Sequence, residues 1–181
     1  MIKIIDNFLD KETHNKIYNL LIDKNFNWHI AKEMVNGDEN KNWFFYHTGI
    51  EDQKICTPDG TYNSVFHPVL SKVESSLHLP VECIKNNDRF PRAWRAKINC
   101  YPKNKDFKFS DWHTDHIKDH IVAIYYVNSN DGFTELQDKG KIESKANRLV
   151  LFSGDILHRA IGHTDTNVRL NMNINYMKHE E

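Results

Sequence analysis

From residue 93 onward the chain divides into short strand-like segments separated by turns, and no other feature constrains its fold as strongly. Eight segments can be read, at 93–101, 107–114, 121–127, 132–136, 142–144, 148–152, 157–161 and 168–176. Asn128-Ser-Asn-Asp-Gly132 and Ser153-Gly-Asp155 are the clearest turns between them. Short strands in such a series predict two antiparallel sheets facing each other, a jelly roll.

The first half reads differently. Ile2, Ile4 and Ile5 are the apolar members of a first strand, and Asp10 is placed to cap a helix over 11–24 whose apolar stripe is Ile17, Leu20 and Leu21. Alternation over 26–30 and the aromatic run Trp43-Phe44-Phe45-Tyr46 predict strands, with Asn36-Gly37-Asp38 and Pro58-Asp59-Gly60 as turns. Phe66, Leu70, Val73 and Leu77 recur at helical spacing, so a second helix is expected over 63–78, stopped by Pro80. The expected fold class is mainly β with N-terminal helices (α+β). One domain spans 1–181, with an α/β cap over 1–90 and the double-stranded jelly-roll core over 91–177.

Composition narrows the function classes. A chain of 181 residues with 39% hydrophobic residues, 7 Gly and 5 Pro suits one ordered domain. The net charge of −1 argues against wholesale electrostatic binding to nucleic acid or an anionic membrane. Three cysteines without a Cys-x-x-Cys pair fit a reducing compartment. There is no apolar leader at the start and no apolar run long enough to span a bilayer, so a soluble, cytoplasmic protein without a membrane partner is expected.

The chemistry centres on Trp112-His113-Thr114-Asp115. On a strand, residues two apart share a face, so His113 and Asp115 can address one point. An imidazole and a carboxylate there, with a second imidazole, make a facial triad that leaves three coordination positions open. The tripeptide alone says little: with 11 His and 25 Asp+Glu such triplets arise by chance, and His163-Thr-Asp165 and His179-Glu-Glu181 have the same form. His163 reads as part of a solvated hairpin loop and His179 as chain end. His158 is the best third ligand, on an apolar segment after the Ser-Gly-Asp turn, where a buried ring needs a metal or a backbone carbonyl as partner. His116 and His120 read as lying beside the site or in solvent.

Two strands carry polar stripes. Arg169, Asn171, Asn173 and Asn175 alternate with Val168, Leu170, Met172 and Ile174. That face is either in solvent or lines a wet cavity, and a buried guanidinium there calls for a carboxylate. Arg95, Lys97, Asn99 and Tyr101 form a similar face, solvated or able to take an anion. Trp43, Phe44, Tyr46 and Trp112 could line a groove with Arg95 and Lys97, or pack in the core.

The order His113-x-Asp115, then His158, then Arg169 eleven residues later resembles the Fe(II)/2-oxoglutarate-dependent dioxygenases, in their prolyl-4-hydroxylase-like branch. Asn99-x-Tyr101 matches positions that commonly touch the co-substrate. Asp131-Gly132-Phe133-Thr134 looks like that branch's Gly-Gly-x-Thr turn with Asp in the first place. The resemblance covers roughly 90–177. It implies Fe(II) on His113, Asp115 and His158, and 2-oxoglutarate on Arg169 with Tyr101, Asn99 and Asn171. It implies O2 as second co-substrate and hydroxylation of a C–H bond with release of succinate and CO2. The expected substrate is a prolyl or other amino-acid side chain, in a peptide or free, with Arg95, Lys97, Trp112 and Thr134 as candidate contacts. Nucleic-acid demethylases of the same superfamily are the alternative. They carry a second Arg six residues after the first, where this chain has Asn175, and nucleic acid is the lesser expectation. A jelly-roll binding module that lost catalysis is the other.

Overall fold

A computed structural model describes residues 2–32, 43–77, 93–106, 108–116 and 119–177. The elements, in order, are β1 (Ile2–Ile5), α1 (Lys11–Leu21), β2 (His29–Ala31), β3 (Phe44–Glu51), β4 (Lys54–Ile55) and α2 (Asp59–Thr61). A π-helical turn (Tyr62–Phe66) leads into α3 (His67–Ser76). Then come β5 (Arg95–Pro102), β6 (His120–Tyr126), β7 (Phe133–Leu136), β8 (Gly140–Glu143), β9 (Arg148–Ser153), β10 (His158–Ile161) and β11 (Val168–Met177). The fold is mainly antiparallel β with few helices. A large sheet runs β1-β9-β6-β11-β5-β3-β2 with β4 on β3, and a small sheet runs β10-β7-β8.

The two sides of the large sheet have different partners, and strand alternation decides which side chain goes where. Ile98 and Cys100 of β5, Ala123 and Tyr125 of β6, and Leu170, Met172 and Ile174 of β11 pack with Ile17 and Leu21 of α1 and Val69, Leu70 and Val73 of α3. On the opposite side, Val122, Ile124 and Tyr126 of β6 with Val150 and Phe152 of β9 meet Leu136 and Ile142 of the small sheet. The polar stripe of β11 alternates with Leu170, Met172 and Ile174, so it too faces away from the helices.

Most of the expected elements form, and the exceptions have physical causes. Asp10 caps α1 by accepting from Thr13 N at 2.9 Å, but the helix ends at Leu21 rather than 24. Asp23 accepts from Asn25 N at 2.8 Å there, a local bond that competes with helix continuation. Pro58-Asp59-Gly60 is the start of a helical run rather than a turn: Tyr62 N donates to Pro58 O at 3.0 Å, and proline is tolerated at a helix start where no N–H is required. The strand expected at 26–30 is reduced to β2. The strand expected at 107–114 is not regular among its described residues. It touches the small sheet through isolated bridges, Phe109 with Ile161 and His113 with His158. Ser110 explains part of this, because its hydroxyl takes the Ala160 N–H at 3.0 Å. The expected turn at 36–38 and the stop at Pro80 lie outside the described residues. No helix among the described residues is long and apolar enough to cross a membrane.

Candidate metal centre and its cavity

His113 and His158 oppose each other across an antiparallel bridge. His113 N donates to His158 O at 3.1 Å and His158 N to His113 O at 2.9 Å, which sets the ring centroids 4.6 Å apart. Each ring directs Nδ1 at the carbonyl two residues earlier, Asp111 O at 2.9 Å and Ile156 O at 3.2 Å. A carbonyl only accepts, so the proton sits on Nδ1 and Nε2 keeps its lone pair, the tautomer a metal requires. Asp115 Oδ1 lies 3.9 Å from His113 Nε2 and 3.8 Å from His158 Nε2. One ligand atom from each residue falls within 4.8 Å of the others, the one such group among the described residues.

Two observations fit a cation here. His158 Nε2 is buried without a hydrogen-bond partner among the described residues, and a buried lone pair in that state calls for one. The Asp115 carboxyl is the second. Burial pushes it up, but positive charge on the His158 and His113 rings, together with the Asn175 amide, outweighs burial and holds it well below the usual carboxylate range; with both Nε2 atoms unprotonated, a bound cation would have to supply that charge. Asn175 Nδ2 donates to Asp115 Oδ2 at 2.8 Å, leaving Oδ1 toward the histidines. Two imidazoles and one carboxylate on one side suit a divalent first-row metal with open positions.

The two polar stripes form one surface. Arg169, Asn171, Asn173 and Asn175 of β11 pair in register with Tyr101, Asn99, Lys97 and Arg95 of β5. Tyr46 and Thr48 of β3 extend the rows opposite Asn99 and Lys97, since side chains opposite in register share a face. With the triad, this surface lines a cavity of about 590 Å³ whose wall also includes Phe44, Thr134 and Ser110. Asn99 Nδ2 donates to Asn171 Oδ1 at 3.3 Å.

Arg169 lies behind the wall, 1% exposed. Its Nε donates to Ser144 Oγ at 3.0 Å, Nη1 to Ile161 O at 3.0 Å and Nη2 to Thr134 Oγ1 at 3.3 Å. The guanidinium lies over the Tyr101 ring at 5.5 Å and the Tyr126 ring at 5.9 Å, and Tyr126 Oη donates to Thr134 Oγ1 at 2.7 Å. No carboxylate among the described residues pairs with it. A guanidinium has five N–H donors and three are used, so donors remain for an anion. Burial pushes the Tyr101 hydroxyl up to about 12, keeping it a neutral donor beside that charge.

The other expected contacts divide. Arg95, Lys97, Asn99, Tyr101, Asn171 and Thr134 all line the cavity, and Thr134 also braces Arg169. Trp112 is 38% exposed and stacks under the Arg159 guanidinium at 4.5 Å, away from the cavity wall. Phe44 and Tyr46 line the cavity, whereas Trp43 is exposed against Phe45. His120 is buried rather than in solvent. His163 corrects its expectation more sharply: the ring is fully buried, because Thr164 N donates to Asp131 Oδ1 at 2.7 Å and Asp131 N to Asp165 Oδ2 at 3.1 Å, drawing the loop onto the Asp131-Gly132 turn. Asn175, Ser144 and Tyr126 were not singled out from the sequence as site residues. Asn175 had a signal, its place on the Arg169 stripe. Ser144 had none.

No protein-family model matches the chain, and no curated protein matches it in sequence. Solved structures do match it in three dimensions. An oxidoreductase of the 2OG-Fe(II) oxygenase family from Burkholderia pseudomallei is similar at TM-score 0.66 and 11% identity, over 99% of this chain and 86% of that one. A prolyl hydroxylase from Trichoplax adhaerens, solved with a peptide fragment of the hypoxia inducible factor oxygen degradation domain, is similar at TM-score 0.65 and 16% identity, over 97% and 83%. The fold is that of the 2OG-Fe(II) oxygenases. A Pseudomonas putida prolyl-4-hydroxylase shares it at TM-score 0.61 and 14% identity, over 99% and 93% of the two chains. At these identities the likeness is one of fold, and the activity has to be argued from the site.

Proposed function

We propose that the chain is an Fe(II)- and 2-oxoglutarate-dependent oxygenase, a single jelly-roll domain over 1–181 that hydroxylates a C–H bond. The observation that carries this is the convergence of two Nε2 lone pairs and one ionised Asp115 oxygen on a cavity backed by a buried arginine without an acid partner among the described residues. His113, Asp115 and His158 would hold Fe(II), and Arg169 would take the far carboxylate of 2-oxoglutarate, with Tyr101, Asn99 and Asn171 along its path. Fe(II) with 2-oxoglutarate and O2 supplies the oxidising equivalents for hydroxylation, with succinate and CO2 as co-products. The chain's own residues orient these groups: two backbone carbonyls fix the imidazole tautomers, Asn175 aims the carboxylate, and Thr134 with Ser144 fixes the guanidinium.

Within this class we favour a prolyl or other amino-acid side chain as substrate, in a peptide or free. Asn175 supports that choice over nucleic-acid demethylation. It occupies the place of the second arginine of the demethylases and is tied to Asp115. The test is succinate formation from 2-oxoglutarate, followed by NMR. It is expected to need Fe(II) and O2 and to vanish in His113→Ala. Turnover that survives this substitution removes the site assignment, and iron that fails to bind the triad under anaerobic reconstitution favours a binding module instead.

A further inference from the structure

The cavity contains a second cationic place that the Arg169 anchor does not use. Lys97 lies four residues along β5 from Tyr101, the residue in register with Arg169, so the two levels are about 13 Å apart along the strand. The Lys97 ammonium sits 5.3 Å from the Phe44 ring centroid and 5.4 Å from that of Tyr46. No hydrogen bond or carboxylate partner reaches it from the described residues. Arg95, one row further, is ion-paired through Nε to Glu51 Oε2 at 3.4 Å, and that nitrogen makes no hydrogen bond among the described residues. Opposite Lys97 in register stands Asn173, whose buried Oδ1 has no hydrogen-bond partner among the described residues. All three line the cavity with the triad. Two rings hold the cation in place without neutralising it, and a cation so held is complementary to an incoming anion.

We propose that Lys97, backed by Arg95 and caged by Phe44 and Tyr46, is an anion subsite for the carboxylate of the primary substrate, which is a small organic acid of the free amino-acid kind rather than a neutral residue inside a peptide. This rests on the oxygenase reading for its reaction but not for its binding chemistry. Asn173 Oδ1 offers an acceptor beside the same point, suited to a substrate N–H next to the carboxylate. Burial and the neighbouring Arg95 push the Lys97 ammonium down to about 8, consistent with a charge waiting for a counter-ion.

The experiment is calorimetric titration of the protein loaded with Zn(II) and 2-oxoglutarate, using benzoate against its uncharged isostere benzamide. Benzoate is expected to bind about tenfold or more tightly than benzamide. That preference should disappear in Lys97→Met and persist in Lys97→Arg. If Lys97→Met does not fold, Lys97→Gln takes its place and should lose the preference in the same way. Equal affinity for the two probes, binding of neither, or a preference retained in Lys97→Met overturns the subsite. A 2-oxoglutarate affinity that falls in Lys97→Met also overturns it, assigning Lys97 to the co-substrate. Tighter binding of acetyl-Ala-Asp-Ala-amide than of benzoate overturns the small-acid assignment in favour of an acidic side chain in a peptide. Failure of wild-type protein to bind 2-oxoglutarate is a separate result: it removes the oxygenase reading and leaves the benzoate comparison to be made without it.

Discussion

Asn175 holds Asp115 by a 2.8 Å amide–carboxylate hydrogen bond that joins the last strand to the irregular segment carrying two of the three proposed metal ligands. The bond takes Oδ2 and leaves Oδ1 facing both histidines. Asn175→Ala is therefore expected to lower Zn(II) or Mn(II) affinity by about 10- to 100-fold, the usual consequence of losing a partner that orients a ligand. The fold should persist, because the β11 ladder is made by backbone. Competition with a chromophoric chelator measures it, and an unchanged affinity would show that Asp115 needs no such support.

The two polar stripes of the cavity were legible in the sequence for a reason particular to β structure. Period-two alternation makes Arg169, Asn171, Asn173 and Asn175 one face whatever the strand's neighbours are, and the same holds for Arg95 to Tyr101. What alternation cannot give is register. That the two stripes are adjacent rows of one surface follows from the β5–β11 pairing, which depends on contacts far apart in sequence. The error at 107–114 has the opposite origin: the aromatic pattern there is strand-like, but Phe109 and Trp112 face outward under Arg159 while Ser110 replaces a ladder bond. His163 was misplaced because its burial depends on Asp131, thirty-odd residues away, and no local pattern reports that.

Arg169 makes the second prediction. Arg169→Met should raise the dissociation constant of 2-oxoglutarate by about 10- to 150-fold, since a charge-assisted contact to a carboxylate is worth about 1.5–3 kcal/mol, while metal affinity at the triad stays near wild type. Arg169→Lys should recover part of the loss, because it keeps the charge but not the fork that Ser144, Ile161 O and Thr134 hold. Tryptophan fluorescence or calorimetry reports both. A co-substrate affinity indifferent to Arg169→Met would detach this arginine from the pocket.

Lys97 makes a prediction about stability. Its folded-state value lies near 8, below the ordinary 10.5, through burial first and Arg95 second, with Asp115 and Glu51 pulling the other way. Between about pH 8 and 10.5 the unfolded chain therefore binds a proton that the folded chain does not, so this group's contribution makes stability rise with pH across that window. Below 8 the cost of the buried charge is fully present. Lys97→Met should accordingly stabilise the protein at pH 7.5, by on the order of 1–3 kcal/mol, and the gain should shrink by pH 10. Urea unfolding of both proteins at the two pH values tests this; a gain that does not change with pH would trace it to packing rather than charge.

The turn between β9 and β10 delivers His158, and Gly154 is what lets it do so. A Cβ on Gly154 would come within 2.3 Å of Cε1 of the buried His120 ring, and Gly154 N donates to His120 O at 2.8 Å, fixing the turn against the start of β6. The ring is fully buried, so it cannot swing away from an added methyl into solvent. Gly154→Ala should destabilise the protein by about 2–4 kcal/mol as an overpacking substitution. Because the displaced turn carries His158, metal affinity should fall in the protein that remains folded. The second effect separates this turn from an ordinary packing site. Replacing His120 by a smaller residue in the Gly154→Ala background should restore both stability and metal binding if the clash is the cause, and should restore neither if the glycine serves only the backbone.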